Sequence, residues 1–162
     1  MVYLIFIAGL VLFAMLFSLA YRKHMAGFKP KNKQLNYQNS VDLIEVQKRK
    51  ISSRPFLFGI EDHIVSDEDM YFDDNSFYAI DTKQMRQVVF PLADIIELSK
   101  TSTIINNRNV WQVIFRTADD NKMVFKFTHN YTIWNKDFYE FYKRVKQTNP
   151  TVVKSKWSLW TM

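Results

Sequence analysis

From Met1 to Tyr21 the chain carries no charged side chain, and this run constrains everything that follows it. Its polar side chains are Ser18 and two tyrosines, Tyr3 and Tyr21, one near each end. At 1.5 Å rise per residue, about twenty helical residues span roughly 30 Å, the hydrocarbon thickness of a bilayer. The tyrosines stand where amphipathic rings favour the headgroup level, and Gly9 is better tolerated in such a helix than in a soluble one. The run stops at Arg22, Lys23 and His24, with Lys29, Lys31 and Lys33 close behind. A cleavable leader carries a basic segment before its apolar core. Here no Lys or Arg precedes the run, although Ser18-Leu19-Ala20 would suit a cut. A helix buried in a soluble core is the third reading. The expectation is an uncut transmembrane helix over residues 1–21. Five Lys/Arg follow it within 12 residues. By the positive-inside rule the N-terminus lies outside and the rest in the cytoplasm, a single-pass protein of the cell inner membrane.

Charge is strongly segregated along the chain. Residues 21–54 hold nine Lys/Arg and two acids, a net of +7. Residues 55–94 hold two basic and nine acidic side chains, a net of −7, and residues 95–162 hold eleven and five, a net of +6. The overall +6 is therefore not one field aimed at nucleic acid. The basic stretch after the apolar run, with Arg22, Lys23, Lys29, Lys31 and Lys33 as candidate headgroup contacts, suits an anionic surface at about 1 kcal/mol per residue. It also reads simply as a topology signal. The absence of cysteine excludes a disulfide scaffold, a thiolate zinc site and a cysteine nucleophile.

Residues 29–39 are polar, with Pro30, and read as part of a linker over 22–54; Ser40 suits the cap of a short helix over 41–46. From Arg54 onward short apolar runs alternate with turn signals. Strands are expected at 56–60, 70–72, 77–80, 86–90 and 95–105, with turns at 73–76 and 106–109. Trp111, Val113 and Phe115 alternate with polar residues, as do Met123, Phe125 and Phe127 beyond a turn at 118–121, which puts one face on a core. The period then changes. Trp134, Phe138, Phe141, Tyr142 and Val145 form one helical stripe, with Asn135 as cap and Pro150 as terminator.

A transmembrane helix, a mainly-β barrel of about seven antiparallel strands over 55–148 capped by a C-terminal amphipathic helix, and a tail over 149–162 resemble a known arrangement. The stretch Met70-Tyr71-Phe72-Asp73-Asp74-Asn75-Ser76-Phe77-Tyr78-Ala79-Ile80, the later Phe90-Pro91-Leu92-Ala93-Asp94-Ile95 and the final helix carry the resemblance. It is to the pleckstrin homology-like superfold, and more closely to GRAM-type and bacterial PH-like domains on a single N-terminal membrane anchor. The resemblance implies a scaffold often used for interaction or assembly. Phosphoinositide binding in that superfold uses basic residues after the first strand; here Glu61 to Asp69 has five acids, one His and no Lys or Arg, which repels phosphate.

No catalytic constellation is present. His24, His63 and His129 lack metal-ligand spacing, and there is no P-loop, GxGxxG or GxSxG. The acidic clusters do not fit a calcium loop. No catalytic residue, metal or cofactor is expected, and the chain is read as no enzyme. Nucleic acid is not an expected partner either, because aromatics and basic residues alternate to opposite faces of the strands. The tail carries Trp157, Leu159 and Trp160, and exposed tryptophans favour interfaces. With Asp67, Glu68 and Asp69, these are the candidate partner-binding residues. The expected function is a non-enzymatic, membrane-anchored adaptor or accessory subunit contacting a membrane protein, the alternative being a peripheral sensor of anionic lipid headgroups.

Overall fold

The alternating stretch from Arg108 to His129 forms a two-stranded hairpin, and the rest of the β-structure is laid around it. In the computed structural model residues 2–25, 32, 37–39, 48–57, 59–117, 120–130 and 136–157 are described. Helix α1 spans Val2–Met25; strands follow at β1 (Gln38–Asn39), β2 (Arg49–Lys50), β3 (Ser52–Ser53), β4 (Asp69–Phe72), β5 (Ser76–Asp81) and β6 (Arg86–Pro91). Then come β7 (Ile95–Ile105), β8 (Arg108–Arg116), β9 (Lys122–His129) and helix α2 (Asp137–Thr148). Short 3-10 turns lie at Glu61–His63, Leu92–Asp94 and Pro150–Val152.

The strands make two sheets, one of five in the order β1-β6-β5-β4-β2 and one of four in the order β3-β9-β8-β7. Every pairing between these strands is antiparallel. A corner at Ile51 joins the sheets. Ile51, between β2 and β3 and fully buried, donates its N–H to the Met70 carbonyl (2.9 Å), and its carbonyl accepts the Asn130 N–H (2.8 Å). The chain thus passes from one sheet to the other without leaving its hydrogen bonds unmet.

Turn chemistry sets the register. The Asp73 carboxylate accepts the Asn75 and Ser76 amides at 2.9 and 2.8 Å, closing the β4–β5 turn. Asn106 and Asn107 both adopt positive φ (50° and 60°), the twist a two-residue hairpin between β7 and β8 needs. Between the sheets the aromatic rings interlock: Phe77 of β5 lies 5.2 Å from Phe115, 5.6 Å from Phe125 and 6.0 Å from Phe141. Helix α2 supplies that last ring, burying Phe138, Phe141 and Val145 at i, i+3 and i+7. Trp111, Val113, Phe115, Phe125 and Phe127 are all buried, as their period-two spacing requires.

Several sequence expectations are corrected. Among the described residues no helix is long and apolar enough to cross a membrane, so the transmembrane helix at 1–21, the single-pass anchor and the inner-membrane placement with the N-terminus outside are not supported. In place of one barrel of about seven strands, the described residues form nine strands in two sheets. The described residues of 56–60 form no strand: Gly59 turns the chain at φ +85°, and the Glu61 carboxylate takes the Leu57 and Gly59 amides, both at 2.9 Å, that a neighbouring strand would need. Helix α2 begins at Asp137, next to Lys136 at φ −89° and ψ 3°, and Trp134 of the expected stripe lies outside the described residues. The helix expected at 41–46 and the cap at Asn135 lie outside the described residues.

Candidate functional site

β3, residues 65–69 and β9 enclose a shallow cleft of about 250 Å³, counted with its open mouth. The wall formed by 65–69 is pinned at two points. Ser66 donates its N–H to the Lys126 carbonyl (2.8 Å) and accepts the Lys126 N–H on Oγ (3.0 Å). Ile64 and Val65 pack with Ile105 and Val110 in a small second core under the β7–β8 hairpin. The opposite wall is held by Ser53, whose carbonyl accepts the Thr128 hydroxyl at 2.7 Å and whose Oγ accepts Arg108 Nη1 at 3.0 Å.

The electrostatics of the cleft are those of a paired rim. Arg54 bonds the Asp62 carboxylate and lies 4.0 Å from Asp67. The Asp62 hydrogen bond, outweighing burial, holds that guanidinium above its ordinary value. Lys50 Nζ meets the Asp69 carboxylate at 2.8 Å, and Ser52 Oγ lies 3.5 Å from its other oxygen. Tyr37 donates its hydroxyl to Glu68 at 2.7 Å, with the Arg86 guanidinium stacked 3.8 Å from its ring centroid. Burial first, and the Glu68 carboxylate second, push the Tyr37 phenol well above its usual range. On the floor, burial lowers the Lys126 ammonium.

Upstream residues also reach the far edge of this region. Asn32 brackets Val124, giving Nδ2–H to its carbonyl (3.0 Å) and taking its N–H on Oδ1 (2.8 Å). Lys48 and Lys50 lie over the rings of Tyr78 and Tyr71, 4.3 and 5.7 Å from the centroids. Residues 48–50, expected within a linker, therefore belong to the β-domain.

The candidate residues are spread over separate places. Asp67, Glu68 and Asp69 come together on the cleft rim, facing Arg54, Tyr37 and Lys50 respectively. Trp157 lies instead on α2, 5.1 Å from the Tyr139 ring and 6.2 Å from Phe138. Arg22 and Lys23 sit in the last turn of α1, with Lys23 exposed. Lys29, Lys31, Lys33, Leu159 and Trp160 lie outside the described residues. The cleft residues that sequence reasoning missed are Asn32, Tyr37, Lys50, Arg54, Ser66 and Lys126. For Lys50 and Arg54 a signal existed: the acidic 55–94 stretch directly follows the basic 21–54 stretch, and these two cations pair with Asp69 and Asp62 in the fold.

Chemically the cleft offers paired charges and hydroxyls. Among the described residues no three of His, Cys, Asp and Glu are grouped to hold a metal ion. Compared with known proteins, the chain matches no family model, and none of the curated proteins is significantly similar to it.

Proposed function

We propose that the chain is a non-enzymatic adaptor, an accessory subunit that joins a protein complex through α1. The observation that supports this is the surface of α1. Tyr3, Phe6, Leu10, Phe13, Leu16 and Phe17 are between 57 and 84% exposed, and none of them joins either core of the β-domain. Contiguous apolar surface beyond a few hundred Å² marks an interaction site. Phe13, Phe17 and Tyr21 stack in succession at 6.3 and 6.2 Å, a row of stiff aromatic anchors on one helix face. The fitting partner presents an apolar, helix-lined groove. Tethered by α1, the β-domain then works at a high effective concentration beside that partner, so weak contacts of its own suffice. The resemblance to pleckstrin homology-like domains belongs to the same proposal, supported by two antiparallel sheets joined at one bent edge and followed by a C-terminal helix.

The test is affinity capture of the tagged full-length chain in mild detergent, beside a Phe13→Ala/Phe17→Ala variant. A partner at unit stoichiometry that survives gel filtration and is lost from the variant is expected. Equal retention by both forms, or salt-sensitive binding to phosphatidylserine vesicles with no protein partner, overturns the reading.

A further inference from the structure

After α2 the chain doubles back along β7. Val152 is buried in the main core, and from there exposure alternates: Val153, Ser155 and Trp157 are partly buried, Lys154 and Lys156 exposed. That period of two marks an extended segment with one face inward. Val153 bridges Leu98 in parallel, the Lys154 N–H donates to the Leu98 carbonyl at 2.9 Å, and the Ser155 carbonyl accepts the Tyr142 hydroxyl at 3.3 Å. Trp157 closes the run, stacked on Tyr139 at 5.1 Å and 29°, with Tyr142 6.4 Å and Phe138 6.2 Å away. Residues 153–157 thus lie between β7 and α2 as a bound peptide does, with backbone bonds along one side and an aromatic anchor at the end.

The seat is better than its occupant. In a parallel ladder the Lys100 N–H goes to a backbone carbonyl; here it goes to the Ser155 hydroxyl, at 2.9 Å. The parallel pairing therefore stops at one bridge, Leu98 to Val153. Val153 and Trp157 both pack against the main core, yet Trp157 keeps part of its ring in water. Another extended segment in this seat would meet the same walls and gain one rung.

We infer that the groove between β7 and α2, walled by Leu98, Lys100, Tyr139 and Tyr142, is a docking site for an extended segment of a partner protein. That segment runs parallel to β7, with valine at the Val153 position and tryptophan four residues on. Residues 153–157 close the groove in the free chain. The partner segment replaces the bonds the tail makes and adds the missing rung at Lys100. The tethered tail competes at an effective concentration of about millimolar. A segment presented by a partner already held on α1 meets the tail on equal terms. That use of the groove rests on the α1 reading; the groove itself does not.

The probe is a dye-labelled peptide in the order of residues 153–157, Gly-Val-Lys-Ser-Lys-Trp-Gly, titrated with the full chain in mild detergent and followed by anisotropy. Trp157→Ala, which loosens the tail, is expected to bind it at least about tenfold more tightly than the parent chain. Tyr139 is 41% exposed, and adding Tyr139→Ala to that variant takes the anchor's platform away and weakens binding at least about tenfold. The reversed peptide, Gly-Trp-Lys-Ser-Lys-Val-Gly, has the same charge and composition and binds at least about tenfold more weakly. Amide exchange reads displacement directly: the Lys154 N–H is slow in the parent chain and fast in Trp157→Ala saturated with peptide. Amides of β8 and β9 stay slow in both, which keeps displacement apart from unfolding. Phe13→Ala/Phe17→Ala added to Trp157→Ala leaves peptide binding unchanged, so a failure of the α1 reading is seen separately. Equal affinity of parent and Trp157→Ala, equal binding of the reversed peptide, or no binding at all overturns the inference. So does a parent-chain dimer that the peptide dissolves, which assigns the groove to the tail of a second copy.

Discussion

Phe77→Ala removes the side chain on which both sheets and α2 converge. The ring is fully buried, and its neighbours at 5.2, 5.6 and 6.0 Å belong to β8, β9 and α2. Truncating a buried Phe costs about 3–5 kcal/mol, and losing three ring pairs at once places this site at the upper end. About 4–5 kcal/mol is roughly a thousandfold in the folding constant, against a total of about 5–15 kcal/mol for a domain. Urea unfolding followed by tryptophan emission suits the measurement, since Trp111 is itself buried, 5.0 Å from Phe138. With a slope of about 1–3 kcal/mol per molar urea, the midpoint falls by about 2 M. Ile104→Ala is the counterpart: that residue is 64% exposed near the end of β7, and its loss costs no more than about 0.5 kcal/mol. A Phe77→Ala midpoint shift under about 0.5 M, or an equal shift in Ile104→Ala, refutes the argument that the two sheets share one core.

His129 is buried and stacked on Phe138 at 5.1 Å; burial, with smaller contributions from Arg108 and Lys100, holds its imidazole below the ordinary 6.5. The unfolded chain therefore takes up the proton first, so stability falls as pH drops through about 6.5 and levels once the folded imidazole also protonates. His129→Phe keeps the stack and removes the titration. Melting curves between pH 7.5 and 5 should converge toward the variant from above, and parallel curves count against the assignment. At Asp73 burial opposes ionisation, but hydrogen bonds from Tyr78, Asn75 and Ser76 outweigh it and hold the carboxyl below 3.8, while the Tyr78 phenol is pushed up to about 12. Its contribution is present above that value and lost as pH falls through the folded one, so Asp73→Asn flattens acid unfolding below about pH 4. Asn107, at φ 60°, should accept Gly with little change, whereas Asn107→Val costs about 1–2 kcal/mol in the same urea assay.

The parts of the fold that were legible in the sequence are those whose signal is local. Trp111-Val113-Phe115 and Met123-Phe125-Phe127 alternate because a strand has period two, and the α2 stripe at Phe138, Phe141 and Val145 follows from 3.6. Asp73 and the Asn106-Asn107 pair announce their turns through side-chain chemistry. Residues 56–60 misled for the same local reason. Phe56, Leu57 and Ile60 have strand composition, and nothing short-range shows that Glu61 will fold its carboxylate back onto two of their amides. The two-residue strands β1, β2 and β3 escaped because they are too short to have a period. They exist through what they pair with: Arg49 with Phe72, Ser53 with Thr128.

The cleft was the least legible part, and the reason is separation along the chain. Asn32 meets Val124 across 92 residues, and Tyr37 meets Glu68 across 31. Neither residue type carries a signature of its partner, since an asparagine amide satisfies any backbone pair and a tyrosine hydroxyl any carboxylate. Charge segregation is the one long-range clue in the sequence. In the fold Asp62, Asp67 and Asp69 stay partly exposed and meet basic neighbours at the cleft rim. Lys50 and Arg54 come from the chain just before the acidic run, so the charges of adjacent segments cancel within the domain. Partly exposed pairs of this kind contribute at most about 1 kcal/mol each, too little to drive folding. What they do instead is fix where segments 50–54 and 61–69 lie against each other. That placement carries Ser66 onto β9.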